Sequence, residues 1–110
     1  MAYDPDLAER VRAILAPGTS WTEKAMFGGL AFLVGGNMAV CVSGQGGLLV
    51  RLDATTLPRL VAQEHVEAMV MGGRTSRTWV HVDAAALGED AALEPWVARG
   101  LAVAGALPTK

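Results

Sequence analysis

Glycines punctuate residues 21–52 so regularly that few architectures accept this stretch. Met26-Phe27 runs into Gly28-Gly29, Leu30 to Val34 into Gly35-Gly36-Asn37, and Met38 to Ser43 into Gly44-Gln45-Gly46-Gly47; Leu48 to Leu52 follows. Short apolar, β-prone runs separated by tight turns form an antiparallel meander. The turns demand positive φ, which glycine adopts without steric cost.

The flanking segments follow a different period. Residues 4–16 predict a helix, with Asp4 as its cap and Pro5 at its first helical position. Leu7, Val11, Ile14 and Leu15 share one apolar stripe, and Glu9, Arg10 and Arg12 take the wet side. Pro17-Gly18 ends it. After the meander, Thr55 or Thr56 is expected to cap a short helix reaching about Gln63, with Leu57, Leu60 and Val61 inward and Pro58 in the first turn. A second hairpin pairs Glu67–Met71 with Thr78–Val82, leaving Gly72 to Arg77 as its loop. The last helix is expected from about Leu93 to Ala106. Pro95 sets its ordered start near Glu94, Trp96, Val97, Leu101, Ala104 and Leu107 line one face, and Pro108 stops it. The order α-β-β-β-α-β-β-α predicts an α+β, two-layer sandwich in which helices cover one face of a largely antiparallel sheet. The other face carries Leu, Val and Met with few charges, which predicts a homodimer.

The 110 residues fit a single domain, 1–110, large enough for one core. An apolar fraction of 52% with 18% charged residues describes an ordered chain. A net charge of −2 disfavours nucleic acid as the main partner, because such proteins show a positive balance or a concentrated basic face. The lone Cys41 allows no internal disulfide. The start Met1-Ala2-Tyr3-Asp4-Pro5-Asp6 lacks the basic and apolar regions of a signal peptide, and no apolar run approaches the roughly 20 residues of a membrane span. A cytoplasmic location without membrane attachment is therefore expected.

Each cluster with chemical potential has a plainer reading beside it. Gly44-Gln45-Gly46-Gly47 has a strand after it, where a phosphate loop requires a helix, so it predicts a hairpin turn. Cys41 alternates with Val40 and Val42 inside a strand and is expected to pack as a small residue. His65, His81 and Asp83 have the composition of a two-histidine, one-carboxylate metal site, but His65 belongs to a separate loop, and Asp83 suits a helix cap. No metal or cofactor is expected, and no catalytic set stands out among the scattered carboxylates Glu23, Asp53, Glu64, Glu67 and Asp83. Arg51, Arg59, Arg74 and Arg77 concentrate in the middle third, and with Lys24 they could form an anion-binding patch, for which Lys24, Arg51, Arg74 and Arg77 are the candidates; with Asp53, Glu64 and Glu67 nearly balancing them, ordinary surface charge is the favoured reading. Trp21, Trp79 and Trp96 are expected as core or interface anchors, and Met26, Met38, Met69 and Met71 as core filler.

The run Glu23-Lys24-Ala25-Met26-Phe27-Gly28-Gly29-Leu30-Ala31-Phe32-Leu33, followed by Gly36-Asn37-Met38, resembles the signature of the TfoX N-terminal domain family. Leu48-Leu49-Val50-Arg51 and Trp79-Val80-His81-Val82-Asp83 fit it too, so the resemblance covers about residues 3–108. It implies a fold similar to that of type III secretion chaperones and no transferable catalytic residues. The best-known members regulate natural competence in bacteria and carry a second, C-terminal module; this sequence ends at Lys110 without one, so a stand-alone domain is expected here. Met26, Phe27, Gly28, Gly29, Gly36 and Asn37 are its structural motif, with Gly28-Gly29 expected to bend the chain or meet another backbone closely.

These readings converge on a non-enzymatic regulatory or adaptor domain working through contact with an unknown protein partner. Two alternatives stay open: a small-anion binder or enzyme using the arginines, and a weak nucleic-acid binder.

Overall fold

A computed structural model describes residues 3–18, 20–26 and 28–109, the side chain of Met71 apart. Helix α1 (Pro5–Leu15) leads into strands β1 (Thr22–Met26), β2 (Gly29–Val34), β3 (Asn37–Val42) and β4 (Leu48–Arg51). Helix α2 (Leu57–Leu60), strands β5 (Val66–Met71) and β6 (Arg74–Val82), a 3-10 turn (Ala84–Ala86) and helix α3 (Asp90–Ala106) complete the chain. The expected α+β order stands, with one strand added at its front: Met26 closes a full strand, β1, where a short run was expected. The sheet order is β1-β2-β3-β4-β6-β5, with every neighbouring pair antiparallel.

Alternation sorts the sheet into two faces. Phe32, Val40, Val50 and Val80 form one continuous row through their pairings, and Leu30, Val42, Leu48, Val82 and Val66 form the next. All are buried and belong to one cluster with Leu7, Val11 and Leu15 of α1, Leu57 and Leu60 of α2, and Leu93, Trp96 and Val97 of α3. The three helices therefore cover the same face.

Local chemistry explains most boundaries. Asp4 caps α1 as expected, its carboxylate accepting the N–H groups of Asp6 at 2.9 Å and Leu7 at 3.4 Å. Arg12 ties α1 to β1 by two 2.8 Å hydrogen bonds to Glu23, which holds that carboxyl below the usual range. Gly35-Gly36 and Gly72-Gly73 make two-residue turns with positive φ at all four positions. The second loop is therefore two residues, not the expected Gly72 to Arg77. Helix α3 starts at Asp90, not near Glu94: Arg10 reaches across to Asp90 at 2.9 Å, and Pro95, inside the helix, forgoes only the bond to the carbonyl of the exposed Ala91. Leu107, expected on its buried face, is 37% exposed, and Gly100 is buried instead.

Thr56 stands at the N-cap of α2, one of the two expected positions, but its hydroxyl makes no capping bond. That hydroxyl is turned back to Asp53, whose carboxylate accepts both threonine N–H groups, at 3.0 and 2.8 Å, and both hydroxyls. These bonds, those from the side chains first, pull the Asp53 carboxyl from 3.8 down to about 2. A depressed folded value adds stability that is complete above the unfolded value and fades as pH falls toward 2. Asp53→Ala is accordingly expected to be less stable than wild type at neutral pH. The gap should close between about pH 5 and 2, as read by circular dichroism during acid titration. A gap independent of pH would contradict this role.

Candidate binding groove on the open face of the sheet

The face away from the helices is built from the alternate residues. One row runs the width of the sheet through successive pairings: Lys24, Ala31, Cys41, Leu49, His81 and Glu67. Its residues are small or apolar in the middle and charged at both ends. Arg51 and Trp79 pair on the neighbouring row, where the guanidinium sits 5.0 Å from the indole centroid and Arg51 Nε donates to the Met38 carbonyl at 2.7 Å. Burial pulls the Arg51 pKa down.

Two irregularities shape this face. Phe32 pairs with Val40 but Leu33 with Met38, so Ala39 is an extra residue in β3. On β6 the shift is larger: Ala68 pairs with Val80 and Val70 with Thr75, so Ser76–Trp79 oppose Met69 alone. Ser76 holds this bulge, its hydroxyl accepting the N–H groups of Thr78 at 3.2 Å and Trp79 at 3.0 Å.

Together these features enclose a cavity of about 460 Å³. Met26, Met38, Met69, Leu49 and Trp79 supply its apolar walls; Gly29, Cys41 and the Ser43-Gly44-Gln45 turn complete it. Two of its glycines are fixed by close packing of backbone on backbone. A Cβ on Gly29 would lie 2.4 Å from the Val42 carbonyl oxygen and 3.2 Å from Cys41 Sγ, and one on Gly44 would lie 2.6 Å from the Gly28 oxygen. The expected close approach at Gly28-Gly29 is thus to the β3–β4 turn, and Gly28 also has φ of 76°. Phe27, between Met26 and Gly28, lies outside the described residues. At the other end of the motif Gly36 turns the chain, and the buried Asn37 amide donates to the Pro108 carbonyl at 2.9 Å, tying the end of α3 to the sheet.

The methionines Met26, Met38 and Met69 therefore line an open groove and are not core filler; alternation alone does not say which sheet face the helices leave bare. The tryptophans divide: Trp96 is buried in the core, Trp79 walls the groove, and Trp21 is half-buried with its Nε1 donating to Glu23 at 3.1 Å. Cys41 is buried as expected, and that burial pushes its thiol pKa up. Its thiol lies 3.7 Å from the Val42 carbonyl.

The four basic candidates do not gather in the groove. Lys24 is exposed on edge strand β1, separated from β6 by β2, β3 and β4. Arg74 and Arg77 are exposed on the outer part of β6. Arg51 alone is half-buried, against Trp79, and none of the four lines the cavity. His65 comes closer to Asp83 than its loop position promised, since Asp83 N–H donates to its carbonyl at 2.9 Å. The side chains are engaged separately: Asp83 accepts the Ala85 N–H at 2.9 Å, and His81 Nε2 donates to the Gly46 carbonyl at 2.7 Å. Among the described residues, no three His, Cys, Asp or Glu side chains gather as a metal site would require. The Gly44 to Gly47 segment is the expected hairpin turn, closed by Ser43 N–H to the Gly47 oxygen at 3.0 Å.

The model of the TfoX N-terminal domain matches residues 13–104, taking in all six strands. This chain belongs to the TfoX N-terminal domain family. No curated protein and no solved structure matches it at a significant level. For this TfoX N-terminal domain the family signature falls on the turns and walls of the groove: Met26, Gly29 and Met38 line it, and Gly28 abuts its Gly44 corner. No helix among the described residues is long and apolar enough to cross a membrane.

Proposed function

We propose that this TfoX N-terminal domain is a non-enzymatic regulatory or adaptor module acting through protein–protein contact, with the open sheet face as its contact surface. The observation that carries this is the apolar groove of about 460 Å³ on the face the helices leave bare. Methionine walls are flexible and polarizable, and suit a surface that adapts to another protein's side chains. Trp79 stacked by Arg51 supplies the aromatic-plus-arginine pair that dominates protein contact energetics. Competence or other transcriptional regulation, the setting of the best-known family members, is the setting proposed for the contact, in the cytoplasm. The arginine-based anion site and nucleic-acid binding gain no comparable support, since the basic side chains do not line the groove.

A photo-reactive amino acid at Leu49, which lines the groove, is expected to give a discrete protein adduct in living cells. The same group at Ala98, exposed on the helical side, is expected to give none. Equal patterns from both positions, or no adduct from Leu49, would remove the reading.

A further inference from the structure

The row across the open face has opposite charges at its two ends, Lys24 on edge strand β1 and Glu67 on edge strand β5. Both are exposed, and among the described residues neither forms an ion pair. The bulk along the row is equally lopsided. The β2 half offers Ala31, and the β6 half offers His81.

We infer that the groove is closed by a second copy of this chain, packed face to face about a two-fold axis parallel to the strands. This inference rests on the reading of the open face as a protein-contact surface and names the partner. A two-fold parallel to the strands reverses the strand order of the facing sheet, so β6 lies over β2 and β5 over β1. His81 then lies over the small Ala31 of the partner subunit, and the reverse contact forms by symmetry. Lys24 meets the partner's Glu67 at both ends. A two-fold perpendicular to the strands would set Lys24 over Lys24 and Glu67 over Glu67, with bulk over bulk.

The size of the face sets the strength. Five strand spacings of about 4.8 Å and strands of about 17 Å give a projected face of roughly 400 Å². Side-chain relief raises that toward the roughly 600 Å² per partner at the lower bound of specific interfaces. A face of this size places the contact at the small end of specific interfaces, so association is sought across a wide concentration range.

Sedimentation across the micromolar range tests this. Wild type is expected to pass from the 11.5 kDa monomer to twice that mass. Lys24→Glu and Glu67→Lys are each expected to weaken association about tenfold, because one substitution creates two like-charge contacts by symmetry. The double variant, Lys24→Glu with Glu67→Lys, is expected to return to within about threefold of wild type. Both positions are exposed, so melting temperatures taken at concentrations low enough for every variant to be monomeric should be unchanged and serve as the folding control. Monomer at every concentration, or a double variant as weak as the single ones, overturns the inference. A monomer whose Leu49 cross-linker still captures a different protein removes the self-association and leaves the contact surface standing. Loss of both removes both.

Discussion

Gly29→Val is expected to lower the melting temperature by about 12 °C or more, the equivalent of about 3 kcal/mol in a domain this size. Any side chain there begins with a Cβ 2.4 Å from the Val42 carbonyl oxygen, a distance real contacts do not reach. Cys41 Sγ and the Gly44 N–H stand at 3.2 Å, so the new group has no free direction. Relief requires β2 to part from the β3–β4 turn, opening the corner where the groove begins. Gly28→Val meets a different obstacle, a φ of 76° that a β-branched residue resists, at a smaller cost of about 1–2 kcal/mol. Thermal melts read by circular dichroism decide it. A Gly29→Val melt superimposable on wild type would show that the corner is not rigid.

The second large effect belongs to Gly100, where α3 meets β3. A Cβ at Gly100 would lie 2.5 Å from the Ala39 carbonyl oxygen and 2.8 Å from Val40 Cγ1. The helix lies this close to the sheet because the residue has no side chain. Gly100→Val is therefore expected to destabilise by about 3 kcal/mol or more, although glycine is a poor helix former. Gly105, in the same helix, has nothing within 4 Å of the place a Cβ would take, so Gly105→Ala is expected to stabilise by about 0.5 kcal/mol. Urea denaturation of the two variants separates packing from propensity. Shifts of the same sign would refute the close-approach account.

The fold was legible because its punctuation is local. Asp4-Pro5 opens a helix, and the glycine pairs turn strands, through chemistry confined to a few neighbouring residues. Errors arose where distant groups or broken alternation intervened. Asp53, three residues before Thr56, accepts that threonine's N–H and hydroxyl, so the hydroxyl is not free to cap α2. Asp90 is drawn into α3 by Arg10, far away in sequence. Thr75-Ser76-Arg77 look like loop residues, yet they belong to β6 because a hydroxyl-bonded bulge absorbs the mismatch. The groove was harder still. The sequence shows an apolar second face, but its walls come from β1, β3, β4, β5 and β6, and the extra residue Ala39 shifts Met38 out of the alternation that would have placed it.

The strand order β1-β2-β3-β4-β6-β5 also fixes where the entropy of assembly falls. Four of the five pairings join strands that follow one another in the chain, and each closes a loop of only a few residues. The β4–β6 pairing alone links distant segments, bringing Leu48 to Val82 and Arg51 to Trp79. Loop closure grows costlier with the length enclosed, so this one junction carries most of the nonlocal ordering that the sheet requires. The meander and the β5–β6 hairpin are thus two kinetically local units, and it is their joining that completes the groove.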